Sequence, residues 1–207
     1  MMALNKEHFM APNEWQWRDP DGLIYPWYTK PFLDVLETWS VDKLTIFECG
    51  TGHSTKWWAK RAKRVVSVEH DAAWYDLVIT DLGVGALSNT EVLLYTEESQ
   101  YVAAFDRCLD ADIIVIDGAW RYKCAEYILS KMKVGAIVIL DNVYEFASVR
   151  ECFRWNIEHF YPQPNHPFWS TSYWIYNNAP YTKTPTVAAK EQISRRMRGI
   201  DSVDYQR

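Results

Sequence analysis

One short stretch, residues 44–55 with the sequence LTIFECGTGHST, constrains the fold of this chain more than any other. It begins as an apolar run, reaches the carboxylate of Glu48 and then breaks at Gly50 and Gly52. Because glycine has no Cβ, the chain can turn tightly here and a ligand can approach the backbone. The pattern predicts a buried strand, a nucleotide-type loop and a helix that the Ser54 hydroxyl can cap.

Strand-sized apolar runs alternate with helical patterns along the rest of the chain. The predicted strands cover residues 44–49, 64–69, 90–95, 112–117, 136–141 and 170–176. The predicted helices cover residues 30–39, 55–63, 72–82, 100–109, 122–132 and 145–160. Near-continuous apolar strands that alternate with helices indicate an α/β fold, with a parallel sheet covered on both faces.

Length and charge narrow the class of protein. A chain of 207 residues can bury a sizeable core in one domain, and we divide it into an aromatic-rich arm with a helix (1–40), a core (41–178) and a charged tail (179–207). The net charge of −5 argues against a nucleic-acid partner, because neutralising phosphates requires clustered Lys and Arg. The apolar runs are far shorter than the ~20 residues of a membrane span, so we expect no membrane partner.

The cysteines and the first residues bear on the compartment. The four cysteines are scattered without a Cys-x-x-Cys pair, which predicts reduced thiols rather than a zinc site or a disulfide frame. The first ten residues lack the apolar core of a signal peptide. We therefore expect a cytoplasmic protein, and the sequence is compatible with a homo-oligomer.

Acidic residues stand at the ends of the predicted strands, where open parallel sheets bind their ligands. They are Glu48, Glu69, Glu97 or Glu98, Asp117, and Asp141 with its neighbour Asn142. Capping of loops explains any one of them, but five at one edge of a sheet indicate a binding site. Glu69 follows Gly52 by 17 residues, a spacing at which an acid can accept both hydroxyls of a ribose.

Two cofactor classes use this geometry. The dinucleotide fingerprint requires a third glycine or an alanine, and Thr55 stands at that place. Glu48, two residues before Gly50, would face a pyrophosphate unfavourably, whereas a carboxylate suits a ligand with an amine or a sulfonium. These residues favour S-adenosylmethionine.

At these motifs, over about residues 44–176, the sequence resembles the class I S-adenosylmethionine-dependent methyltransferases. It is most similar to the small-molecule O-methyltransferases of the catechol and sugar type, through Glu48-Cys-Gly50-Thr-Gly52, Ile116-Asp117-Gly118 and residues 135–142. The resemblance implies a Rossmann-like, doubly wound, mostly parallel sheet of the seven-stranded type with a late antiparallel strand. The implied cofactor contacts are Glu48, Gly50, Thr51, Gly52, His53, Ser54, Glu69, His70, Glu98, Ser99, Asp117 and Trp120.

The same resemblance implies a metal and a catalytic role for two acids. In that subgroup, the equivalents of Asp117, Asp141 and Asn142 hold Mg²⁺ against a vicinal diol, so Asp117 and Asp141 are the candidate catalytic residues. The alternative is that Asp117 positions the methionine moiety and Asp141 caps a loop. The chain departs from the catechol pattern at Trp120, where that group has a lysine base; Arg121 or Lys123 could substitute, but arginine is a poor base.

The expected activity is methyl transfer to a small, hydroxyl-bearing acceptor, with two alternatives. The first is a protein or nucleic-acid acceptor. Nucleic-acid methyltransferases commonly carry Asn or Asp followed by Pro-Pro and an aromatic residue after the fourth strand, whereas this chain reads Asp117-Gly-Ala-Trp120. The second alternative is a module that binds S-adenosylmethionine without turnover.

Overall fold

The computed structural model describes residues 17–80 and 82–177, so the charged tail and the beginning of the arm lie outside the described residues. The strands within these ranges are β1 (Thr45–Cys49), β2 (Arg64–Glu69), β3 (Thr90–Leu94), β4 (Ile113–Ile116), β5 (Ile137–Asp141), β6 (Glu158–Gln163) and β7 (His166–Ile175). The α-helices are α1 (Lys30–Leu36), α2 (His53–Ala59), α3 (Ala72–Thr80), α4 (Glu98–Ala103), α5 (Arg121–Leu129) and α6 (Ala147–Cys152). None of these helices is long and apolar enough to cross a bilayer.

The strands form one seven-stranded sheet in the order β3-β2-β1-β4-β5-β7-β6. Strands β1 to β5 pair parallel with one another. Strand β7 runs antiparallel to β5, and β6 pairs antiparallel with β7. This confirms the predicted doubly wound, mostly parallel sheet with a late antiparallel strand. The strand order reverses between β1 and β4, which opens a crevice at their carboxyl ends.

Alternation along the central strands gives the sheet two buried faces. In β4, Ile113 and Val115 contribute to one apolar cluster, which contains Trp58, while Ile114 and Ile116 contribute to the other. Because successive side chains of a strand point to opposite faces, a run of four apolar residues fits only a sheet that is covered on both sides.

The described part of the arm packs onto the domain. The Asp19 carboxylate is buried and pairs with Arg61, which follows α2. The Thr29 backbone N–H donates to the Thr171 hydroxyl of β7 at 3.0 Å. Pro31 stands in the first turn of α1, where its missing N–H leaves no donor unpaired within the helix. The Thr171 contact fixes the chain next to the carboxyl end of β5, because Thr171 pairs with Asp141.

The predicted helix over residues 145–160 is wrong. Helix α6 ends at Cys152, and Glu158–Gln163 forms the edge strand β6 instead. Tertiary pairing with β7, which comes later in the sequence, overrides the local helical pattern. Pro162 is tolerated because an edge strand can lose an N–H donor, and the register shifts between Pro162 and Gln163.

Candidate functional site

A cleft of about 480 Å³ lies at the carboxyl ends of the central strands, at the point where the strand order reverses. Seven residues predicted from the sequence line it: Gly50, Thr51, Glu69, His70, Asp117, Asp141 and Asn142. Six further residues complete the lining: Trp27, Asp71, Trp74, Gly118, Ala119 and Arg121. The remaining predicted residues, which are Glu48, Gly52, His53, Ser54, Glu98, Ser99 and Trp120, are not among the lining residues of the cleft.

The floor of the cleft is a contact between two backbones. Gly50 has a φ of +93°, which favours glycine, and a Cβ there would meet the Asp117 carbonyl at 3.1 Å. A Cβ on Gly118 would lie 2.6 Å from the Gly50 nitrogen and would also collide with the Tyr101 hydroxyl. The loops that follow β1 and β4 therefore approach each other so closely that neither position accommodates a side chain.

Glu48 lies beneath the glycine loop, with 1% of its surface exposed. The Thr55 hydroxyl donates to its Oε2 at 2.5 Å and itself accepts the Gly52 N–H at 3.0 Å. The N-cap of α2 is Gly52, and Thr55 supplies the hydroxyl that satisfies its N–H. The prediction that Ser54 caps the helix is wrong, because α2 begins one residue before it and Ser54 lies within the first turn.

The buried carboxyl of Glu48 has a shifted pKa. Burial raises its pKa from 4.5 to about 7, and the negative charge of Asp117 adds to the rise. Hydroxyl groups from Ser54, Thr55 and Ser67 oppose the rise. Glu48 thus holds the loop in place through Thr55 and lies outside the set of residues that line the cleft.

Glu69, at the end of β2, connects the loops that follow the first two strands. Its Oε2 accepts the N–H and the hydroxyl of Thr51 at 3.2 and 3.1 Å. Its Oε1 accepts the backbone N–H groups of His70 and Asp71 at 2.7 and 2.9 Å. The side chain is buried against protein yet borders the cleft, so the loops hold a carboxylate in a fixed orientation across from Gly50.

Trp74 was not predicted as a site residue. Asp71 caps α3, since its Oδ1 accepts the backbone N–H of Trp74 at 2.9 Å. The Trp74 indole Nε1 then donates to the Thr51 carbonyl at 2.7 Å. A ring from α3 therefore fixes the loop that follows β1, and no sequence motif signals such a contact.

We expect Trp74→Phe to lower the free energy of unfolding by about 1 kcal/mol, because it keeps the ring and removes the indole donor to Thr51. Chemical denaturation followed by circular dichroism measures the change. Trp39→Phe is the matched control, since Trp39 packs edge-on against Tyr173 away from the cleft. Equal stability of Trp74→Phe and the wild type would show that the hydrogen bond contributes nothing.

Arg121, the first residue of α5, joins the ends of β4 and β5. Its Nη2 donates to Oδ1 of Asp117 at 2.8 Å, and its Nη1 donates to the Asp141 carbonyl at 2.7 Å. The carboxyl of Asp141 accepts a hydrogen bond from the Thr171 hydroxyl at 2.5 Å. Burial raises the pKa of Asp117, and Arg121 opposes that rise. Burial and the charge of Asp117 raise the pKa of Asp141 well above its usual range.

No protein-family model matches the sequence, and no curated protein matches it significantly. Solved structures match the fold. A rRNA methylase from Streptococcus thermophilus has a TM-score of 0.55 at 15% identity, over 70% of this chain and 93% of that chain. A candidate O-methyltransferase from Klebsiella pneumoniae has a TM-score of 0.56 at 19% identity, over 70% of this chain and 78% of that chain.

The C-terminal domain of precorrin-6Y C5,15-methyltransferase from Rhodobacter capsulatus has a TM-score of 0.52 at 14% identity, over 76% of this chain and 91% of that chain. The chain has the fold of these methyltransferases. At such low identities the likeness concerns the fold alone, and the three proteins are named for different acceptors.

The implied magnesium ligands Asp117, Asp141 and Asn142 line the same cleft, but Arg121 already bonds to Asp117 and Asp141. Mg²⁺ requires several oxygen ligands in octahedral geometry. The Asp117 carboxylate pairs with Arg121, and Thr171 donates to Asp141. These residues therefore do not fit the magnesium site that the resemblance implies.

Four other predicted cofactor contacts do not line the cleft. Glu98 and Ser99 line a separate groove of about 640 Å³, built from α4 and α5. Trp120, whose φ is +46°, packs its ring edge-on against His70 at 5.5 Å, measured between ring centroids, and so supports a residue that lines the cleft. His53 is buried at the start of α2, near Trp27. Trp120 and His53 thus contact residues that line the cleft, whereas Glu98 and Ser99 belong to another groove.

Proposed function

We propose that this protein is an S-adenosylmethionine-dependent methyltransferase. The observation that carries the proposal is the orientation of Glu69, a buried carboxylate that borders the cleft across from the Gly50 turn at the switch point of a methyltransferase fold. In this position Glu69 would accept the ribose hydroxyls of the cofactor in place of the Thr51 hydroxyl, which can rotate away, while the glycine floor would let the rest of the cofactor approach the backbone.

The charge of the cleft supports a cofactor that carries a sulfonium and an ammonium. Four acidic side chains line it, and Arg121 is the single Lys or Arg among its lining residues. The guanidinium is occupied by Asp117 and by backbone carbonyls. A cationic ligand therefore gains electrostatic stabilisation there, whereas the pyrophosphate of a dinucleotide would be repelled.

The proposed transfer moves a methyl group from the sulfonium to an acceptor hydroxyl. The carbon–sulfur bond breaks and leaves its electron pair on sulfur, the carbon–oxygen bond forms, and the hydroxyl proton is released. Most of the rate enhancement would come from alignment. Asp141 would orient the hydroxyl and accept its proton, because its carboxyl lines the cleft in which the acceptor would lie.

A small acceptor is the class that we favour. The half-exposed ring of Trp27 provides an apolar wall at the edge of the cleft, against which a small acceptor could pack. The net charge of −5 counts against a nucleic-acid acceptor. The four cysteines are buried and free, which supports a reducing compartment such as the cytoplasm.

Calorimetric titration with S-adenosylmethionine tests this proposal. We expect the wild type to bind and Glu69→Ala to weaken binding by at least about tenfold, because the ribose hydroxyls lose a charged acceptor. Glu158→Ala is the matched control, since Glu158 is a partly buried carboxylate that pairs with Arg150 outside the cleft. Lack of binding by the folded wild type at millimolar cofactor would contradict the proposal. Binding without turnover on any hydroxyl-bearing acceptor would favour the non-catalytic module.

A further inference from the structure

The guanidinium of Arg121 occupies the region between the strand ends where the resemblance implies a metal. Besides its bonds to Asp117 Oδ1 and to the Asp141 carbonyl, its Nε donates to the Gly118 carbonyl at 3.1 Å. Its Nη2 also lies 3.2 Å from the Asp117 carbonyl. One planar group therefore joins the loops that follow β4 and β5 through four oxygen acceptors, as a cation held by oxygen ligands would.

The surroundings of Arg121 fix that position. The guanidinium carbon lies 4.1 Å from the centre of the Phe146 ring, and 11% of the side chain is exposed. Arg121 is also the first residue of α5, so the start of the helix fixes the position of its Cα and Cβ atoms. Arginine keeps its charge throughout the physiological pH range and presents its donors in a rigid plane. The cleft thus contains a permanent positive charge in a defined geometry.

We propose that Arg121 is a positioning residue that takes the place of a divalent cation in this cleft, so that cofactor binding and methyl transfer need no metal. A divalent ion at the same carboxylates would lie beside the guanidinium, and like charges in a recessed site repel strongly. Three of the four acceptors are backbone carbonyls, so Arg121 also holds the two loops that carry Asp117 and Asp141. The inference rests on the proposed function only for the identity of the cofactor.

Manganese binding, followed by the electron paramagnetic resonance signal of free Mn²⁺, tests the proposal directly. We expect the wild type to leave Mn²⁺ free at millimolar concentration. Arg121→Ala removes the competing charge and should acquire one Mn²⁺ site, which the double variant Arg121→Ala/Asp141→Asn should lose. Acquisition of a metal site is a result that a merely structural arginine would not produce. One Mn²⁺ bound by the wild type and lost in Asp141→Asn would overturn the proposal.

Calorimetry with S-adenosylmethionine tests the positioning role. Wild-type affinity should be the same in EDTA and in millimolar Mg²⁺, and Arg121→Ala should weaken it by about tenfold or more, because the loops lose their common donor. Arg121→Lys keeps the charge and should restore part of the loss. Arg150→Ala is the matched control: Arg150 is similarly buried, pairs with Glu158 and lies over Phe160, outside the cleft.

The outcomes separate this inference from the proposed function. Equal cofactor affinities of Arg121→Ala and Arg150→Ala, or a Mg²⁺-dependent gain in the wild type, would overturn the positioning role. If Arg121→Ala does not fold, the wild-type Mn²⁺ measurement and Arg121→Lys still decide the question. A wild type that binds no cofactor in either buffer would contradict the proposed function, whereas the manganese result would still decide whether the arginine excludes a metal.

Discussion

Gly118→Ala is expected to lower the free energy of unfolding by at least about 3 kcal/mol, at the upper end of the cost of overpacking. The new Cβ would lie 2.6 Å from the nitrogen and 2.8 Å from the Cα of Gly50, and these are backbone atoms that cannot rotate away. It would also collide with the hydroxyl of Tyr101, which is fully buried. Relief of the collision requires the loops after β1 and β4 to separate.

Denaturant unfolding and cofactor titration measure the two consequences of that separation. Because both loops line the cleft, we expect Gly118→Ala to lose cofactor binding along with stability. Gly52→Ala is the matched control for stability, since its Cβ would have only an ordinary contact of 3.9 Å with Trp74 and its φ of 168° is extended. A Gly118→Ala protein as stable as Gly52→Ala would mean that the two backbones are not in contact.

The sheet could be predicted because most of its strands are buried on both faces. Such strands appear in the sequence as continuous apolar runs, and the bounds predicted for β2 match those of Arg64–Glu69. Strand β6 could not be predicted in this way, since all of its residues are only partly buried at the edge of the sheet. Its pairing with β7 is a tertiary contact that no local pattern in the sequence encodes.

The site could be predicted to the extent that its residues follow strands directly. Glu69, Asp117 and Asp141 stand at strand ends, and a parallel sheet brings such ends to one edge. Trp27 and Arg121 line the same cleft through the packing of the arm and the start of α5, which no spacing in the sequence encodes. Glu48 also stands at a strand end, yet its side chain lies beneath the loop. A position at a strand end determines at which edge of the sheet a residue lies, but it does not determine the direction in which the side chain points.

The burial of Glu48 has a consequence for stability against pH. Its pKa is raised from 4.5 to about 7 in the folded protein, so between these values the folded state holds a proton that the unfolded chain has released. The folded state then binds more protons than the unfolded state, and the free energy of unfolding falls as the pH rises. The contribution is fully present below about pH 4.5 and is lost above about pH 7, and it amounts to about 3 kcal/mol.

Glu48→Gln should remove this dependence, because the amide resembles the protonated carboxyl and cannot ionise. The variant should be more stable than the wild type at pH 8 by about 3 kcal/mol, and the difference should shrink toward pH 5. Burial raises the pKa of Asp117 and Asp141 too, so both proteins should lose stability with rising pH. The difference between the two curves therefore isolates Glu48.

Urea unfolding at several pH values between 5 and 8 measures both curves. Glu158→Gln provides the matched contrast, since it removes a carboxylate that pairs with Arg150 and should destabilise the protein by leaving a recessed guanidinium without its partner. A difference in the free energy of unfolding between the wild type and Glu48→Gln that does not vary with pH would contradict the prediction. A variation with the expected sign would mean that the Glu48 carboxyl carries its proton at the acidic end of this range. The protonated carboxyl costs less to bury than the carboxylate. It is therefore the form in which Glu48 holds the loop through Thr55 and Gly52 at the lowest desolvation cost.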